Sequence, residues 1–128
     1  MNRTIFMTGL VFGVLAVLIG AFGAHGLENL LDARALNTFE TGVKYQMYHA
    51  LFLLVLGSTE KLPATKKKWV YYFVLIGVIL FSFSIYLLAT NTLTAFDFKS
   101  IGFITPIGGA FLIFGWALLA VHSSKHFK

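Results

Sequence analysis

The 128-residue chain has no cysteine, two prolines and only five acidic residues. Without cysteine there is no disulfide, no thiolate nucleophile and no Cys-based metal or cluster site. Two prolines leave long stretches free of helix breakers. A polar segment long enough to fold alone in water is also missing: the connections between apolar stretches run about 10 to 18 residues, close to ordinary helix connections. No phosphate loop, nucleophile motif or zinc-protease helix is present. Ser82 or Ser84 would need a neighbouring base to act as a nucleophile, and the sequence identifies none.

What fills the chain instead is apolar: 58% of residues are hydrophobic. They gather in four stretches, Thr4 to Ala24, Gly42 to Gly57, Trp69 to Ala89 and Ile101 to Val121. A helix crosses a bilayer with roughly 20 mostly apolar residues at about 1.5 Å rise each. The expected fold is therefore all-α, a four-helix transmembrane bundle forming a single membrane domain over residues 1–128. Its spans fall near 4–25, 39–58, 68–90 and 101–122. The first run is longer than a signal-peptide core, and Ala21-Phe22-Gly23 is a poor cleavage site, so it is read as an uncleaved span. Between the first two spans, Leu27, Leu30, Leu31 and Ala35 alternate with charges at helical spacing. This predicts a short amphipathic helix, either lying at the outer surface or capping the bundle.

Formal charge is +5, and its placement carries a topology signal. Arg3, Lys61, Lys66, Lys67, Lys68, Lys125 and Lys128 share one side of a four-crossing chain, while Arg34, Lys44 and Lys99 fall on the other. Seven against three predicts that both termini face the cytoplasm in the cell membrane. No basic groove or nucleic-acid motif accompanies these charges, so no nucleic-acid partner is expected. Trp69, Tyr71 and Tyr72 beside the lysines read as an interfacial aromatic belt, and Phe96 and Phe98 as residues dipping into the opposite interface.

Small residues mark packing faces. Gly9, Gly13, Ala16, Gly20 and Ala24 recur at spacings of three and four on helix one, letting a neighbour approach closely. Thr105, Pro106, Gly108 and Gly109 open the fourth span. They imply either a bend lining a cavity or, the reading favoured here, backbone approached closely by a neighbour.

The second span is chemically unusual. Glu40 and Lys44 stand four apart in the order that favours a helix ion pair, and Tyr48 follows one turn on. Tyr45 and His49 form a parallel row, with Gln46 three before His49. Polar groups in hydrocarbon cost several kcal/mol unless partnered, so this arc is expected to face the bundle interior. His25, ending helix one on the same side, joins the candidate polar site. A His25, Glu40 and His49 metal cluster is conceivable, but no two histidines have paired helical spacing; a hydrogen-bonded structural network is preferred and no metal or cofactor is expected. His122 and His126 read as solvated tail residues.

Gly20-Ala-Phe-Gly-Ala-His-Gly-Leu27, Tyr45-Gln-Met-Tyr-His-Ala-Leu51 and Gly102-Phe-Ile-Thr-Pro-Ile-Gly-Gly109 with Gly115-Trp116 together resemble the domain-of-unknown-function 423 family. These are small multi-pass membrane proteins of the YgdD and YwdK type, with a eukaryotic relative, transmembrane protein 256. The resemblance implies four helices and no assigned activity, and it adds emphasis to His25, Tyr45 to His49 and Thr105 to Gly109. The family's Ser-Gly-Ser-like segment is here Ser82-Phe83-Ser84. The expected function is a non-enzymatic bundle binding a lipid, a small hydrophobic ligand or a partner, with homo-oligomerisation open. The alternative is a small transporter or proton-linked carrier using Glu40, Lys44 and His49.

Overall fold

The computed structural model describes residues 2–93 and 97–127; Phe96 and Lys128 lie outside the described residues, as does the side chain of Lys99. Four long helices account for nearly all of it: α1 Asn2–Gly26, α2 Ala33–Ser58, α3 Ala64–Ala89 and α4 Ile104–His126. No strand occurs among the described residues. α1, α3 and α4 are long and apolar enough to cross a membrane. α2, at 26 residues, is as long as the others but carries Arg34, Glu40 and Lys44 in its first half.

The expected amphipathic helix between the first two spans is not a separate element. Gly26 ends α1, and a tight turn follows, with Leu30 N–H and Leu31 N–H both donating to Leu27 O at 3.0 and 3.1 Å. Asp32 then caps α2, its carboxylate accepting from Ala35 N–H at 2.8 Å. An aspartate at this position satisfies an otherwise orphaned donor and starts the helix there. The helical spacing read across this segment belongs partly to the turn and partly to the first turn of α2. Two of its leucines face inward, Leu27 and Leu31 packing with Phe39 and Ala89, while Leu30 is exposed. α2 therefore starts at Ala33 rather than near residue 39.

α1 and α2 form one antiparallel pair, α3 and α4 the other. Glycines set both seams by absent side chains rather than by unusual torsions, since no described glycine has a positive φ. A Cβ on Gly9 would stand 2.9 Å from Ala50 O, and one on Gly57 2.9 Å from Phe6 N. In the second pair, a Cβ on Gly108 would lie 2.7 Å from the Leu80 carbonyl carbon and closer still to Phe81 N. The small-residue stripe expected on α1 is thus tight at Gly9 and Gly20, while Gly13 leaves ordinary contact distance, with Ala50 Cβ at 3.9 Å.

Facing Gly108, α3 passes through one π-helical turn, Ile79–Phe83. A widened turn offsets the helix by one residue and frees carbonyls from the regular ladder. Here Ser84 Oγ donates to Phe81 O at 2.9 Å and accepts from Thr105 Oγ1 at 2.6 Å. The fourth helix starts at Ile104, after a short 3-10 turn over Phe98–Ile101, rather than at residue 101. Pro106 sits in its first turn, where a missing N–H costs nothing, and α4 runs on without a break. Within the Thr105 to Gly109 cluster, Thr105 and Gly108 pack closely against α3, whereas Gly109 borders open space.

Asn2, Phe127 and the 59–63 connection lie at one end of the bundle. Lys67, only 1% exposed, donates from Nζ to Asn2 Oδ1 at 2.8 Å and to Thr59 O. Lys61 Nζ lies 5.0 Å over the Phe127 ring. Tyr71, read from sequence as a belt residue, is buried instead, and its hydroxyl donates to Thr8 Oγ1 at 2.9 Å.

Candidate functional site

α2 places its polar side chains on two opposite faces. The periodicity of 3.6 residues separates His49 from Glu40 by about half a turn, so both cannot face one neighbour. Gln46 and His49 point inward and are almost fully buried, at 0% and 4% exposed. Glu40 and Lys44 are exposed, as are Tyr45 and Tyr48 at 40% and 54%. The single interior arc expected from the sequence is therefore corrected: two of its residues enter the bundle and four do not. Among the described residues Glu40 and Lys44 form no ion pair. His25 is exposed at the end of α1, and no group of three His, Asp or Glu side chains gathers among the described residues. A continuous Glu40, Lys44 and His49 path for a carrier is not assembled by this arrangement.

The inward residues are fully engaged. Gln46 Nε2–H donates to Phe12 O at 2.9 Å, and Gln46 Oε1 accepts from the Tyr86 hydroxyl at 2.6 Å. One side chain thereby joins α1, α2 and α3. Ser82 Oγ–H donates to Gly42 O at 2.8 Å, joining α3 to α2 where a Cβ on Gly42 would meet Tyr86 at 2.7 Å. No buried side-chain donor or acceptor among the described residues lacks a partner. In hydrocarbon each such bond holds two helices in register, at a measured average near 0.6 kcal/mol per bond.

His49 is held in one neutral tautomer. Its Nδ1 lies 2.7 Å from Tyr45 O, which can only accept, so Nδ1 carries the proton. Its Nε2 accepts from Trp116 Nε1–H at 3.0 Å. A second proton on Nε2 would confront the indole N–H, so this geometry holds the ring uncharged. The Trp116 ring stacks edge-on to Phe52 at 4.6 Å and to His49 at 6.0 Å.

These ring contacts bridge α2 and α4, which otherwise share no extended backbone seam. The result is a half-open cleft of about 310 Å³ between them. Tyr45 and His49 form one wall, Gly109, Leu112, Ile113 and Trp116 the other, and Phe81 from the π turn the floor. Tyr45 and Phe81 ring centres are 4.9 Å apart. A Cβ on Gly109 would lie 3.6 Å from the Phe81 ring, an ordinary contact, so this glycine leaves room rather than sealing a seam. No charged residue lines the cleft. Its volume is at the small end of ligand sites. Trp116 and Phe81, which build it, were not singled out as site residues in the sequence reading; the Gly115-Trp116 pair was the nearest signal.

A family model described as a protein of unknown function, DUF423, matches residues 19–109. The chain belongs to this family. A UPF0382 membrane protein of Staphylococcus saprophyticus is 39% identical over 123 residues, covering 96% of this chain and 98% of that protein. The UPF0382 membrane protein YwdK of Bacillus subtilis is 36% identical, covering 97% and 98%. A UPF0382 membrane protein of Haemophilus influenzae is 38% identical, covering 88% and 87%. No solved structure matches. With its three apolar spanning-length helices, the chain is a transmembrane protein of this family.

Proposed function

We propose that the protein is a non-enzymatic bundle that crosses the membrane four times and admits a small uncharged, lipid-soluble molecule, or part of a lipid, into the cleft between α2 and α4. The observation that carries this reading is the cleft itself: apolar and aromatic walls, no charge, and exposed rim residues Tyr45, Ile113 and Trp116. A charged ligand would be desolvated there without a counter-ion. A flat or chain-like apolar group suits a lining of Tyr45, Phe81, Leu112, Ile113 and Trp116.

A fourth crossing by α2 is supported by its pairing. Gly57 meets Phe6 and Gly23 meets Phe39, so α2 runs alongside the whole of α1. The excess of lysine and arginine at the end bearing Asn2, Lys61, Lys67 and Phe127 supports a cytoplasmic side for it.

Mass spectrometry of protein released from native membranes in mild detergent tests the reading. The wild-type chain should carry a lipid-soluble adduct, and Gly109→Leu, which fills the cleft, should lose it while staying folded. Retention of the same adduct by Gly109→Leu, or a folded wild-type chain that carries none, would overturn it.

A further inference from the structure

We infer that the outward ridge of α2 is an interface between two copies of this chain, with Glu40 of each copy meeting Lys44 of the other. The ridge follows the i, i+4 row Glu40, Lys44, Tyr48 and continues through Leu51 and Val55, which are 53% and 68% exposed. α1 and α3 occupy the other faces of α2, through Val43 and Gly42 respectively. Among the described residues the polar groups on this ridge have no partner: Glu40 and Lys44 form no ion pair, and the Tyr48 hydroxyl makes no hydrogen bond.

Their depth makes this costly. A Cβ on Gly20 would stand 3.2 Å from Val43, and one on Gly23 2.5 Å from Phe39. Glu40 and Lys44 therefore lie level with the last turns of α1, beside exposed Leu18 and Phe22. Tyr48 lies deeper, level with the middle of α1. An unpaired carboxylate and hydroxyl at the edge of hydrocarbon favour any contact that pairs them. The inference rests on α2 crossing the bilayer, but not on the cleft being a ligand site.

Opposite charges one turn apart make the ridge complementary to itself. A two-fold axis along the bilayer normal sets two α2 helices parallel and brings each patch onto its own copy, so every contact occurs twice. Glu40 and Lys44 are offset by about 6 Å along the axis, four residues of rise, a gap that two long side chains close. Lys44 alone could instead rise to a lipid phosphate, but that headgroup would repel Glu40 on the same ridge.

The absence of cysteine makes the test clean. In native membranes under a mild oxidant, Tyr48→Cys should give disulfide-linked dimers, whereas Ile113→Cys, 70% exposed on α4, should not. Added to Tyr48→Cys, either Glu40→Lys or Lys44→Glu should weaken association roughly tenfold, the factor that 1.4 kcal/mol makes. Coexpression of those two variants should restore the dimer, because the mixed pair recovers both attractions. Equal cross-linking at positions 48 and 113, or coexpression that fails to restore it with both variants present in the membrane, overturns the interface and leaves the ridge facing lipid.

Discussion

Gly108 and Gly109 stand side by side on α4 and do opposite things. Gly108 closes a seam: a side chain there would strike the backbone of Leu80 and Phe81. Gly109 opens a space: a Cβ there would rest at 3.6 Å from the Phe81 ring. One helical step of about 100° separates the α3–α4 seam, which is backbone against backbone, from the α2–α4 boundary, which large rings hold apart. The difference teaches that glycine content alone does not mark a packing face. What matters is whether the missing Cβ is opposed by backbone, which cannot move, or by a ring at the edge of a cavity.

Four substitutions sharpen this contrast, in descending order of effect. Gly108→Leu should cost about 3 kcal/mol or more, because the obstruction is main chain, and folded protein in the membrane should fall sharply. A normal yield of monodisperse protein would show the α3–α4 seam to be looser than described. Gln46→Leu removes two inter-helix bonds and leaves the Tyr86 hydroxyl without its acceptor, for a loss of about 1–2 kcal/mol. Thermal unfolding in detergent checks it, and an unchanged midpoint would count against the three-helix junction. Trp116→Phe keeps a ring at the cleft mouth but deletes the indole N–H, costing about 0.6 kcal/mol. The His49 ring nitrogens should respond in NMR spectra, and unperturbed shifts would mean that the indole bond is not made in the membrane. Gly109→Ala should change stability by less than about 0.5 kcal/mol. A loss matching that of Gly108→Leu would erase the distinction between the two glycines.

The positions of the helices were legible because apolar length is a direct consequence of membrane thickness. Helix starts were less so. Asp32 is a cap by residue type, yet the leucines around it imitate an amphipathic helix, and only the backbone bonds to Leu27 O show a turn. The polar character of α2 was plain, but its direction was not. Polar residues lie nearly all round the helix, so periodicity could not tell which of Gln46, His49, Glu40 and Lys44 face inward. That choice is made by long-range partners, Phe12, Tyr86 and Trp116, none of which is near in sequence. Lys67 sits in a run of three lysines that reads as uniformly solvated, and its burial against Asn2 and Thr59 leaves no local trace. The π turn packs against Gly108 and bonds to Gly42 O through Ser82, contacts far apart in sequence.

The central claim is that α2 and α4 stand apart within the hydrocarbon, with Trp116 at the mouth of a cleft open to lipid. In a Trp69→Phe chain, Trp116 is the sole tryptophan. Reconstituted with lipids brominated at mid-chain, its fluorescence should be strongly quenched, and less so with bromines near the headgroup. Stronger quenching from the headgroup position, or none from either, would contradict the account.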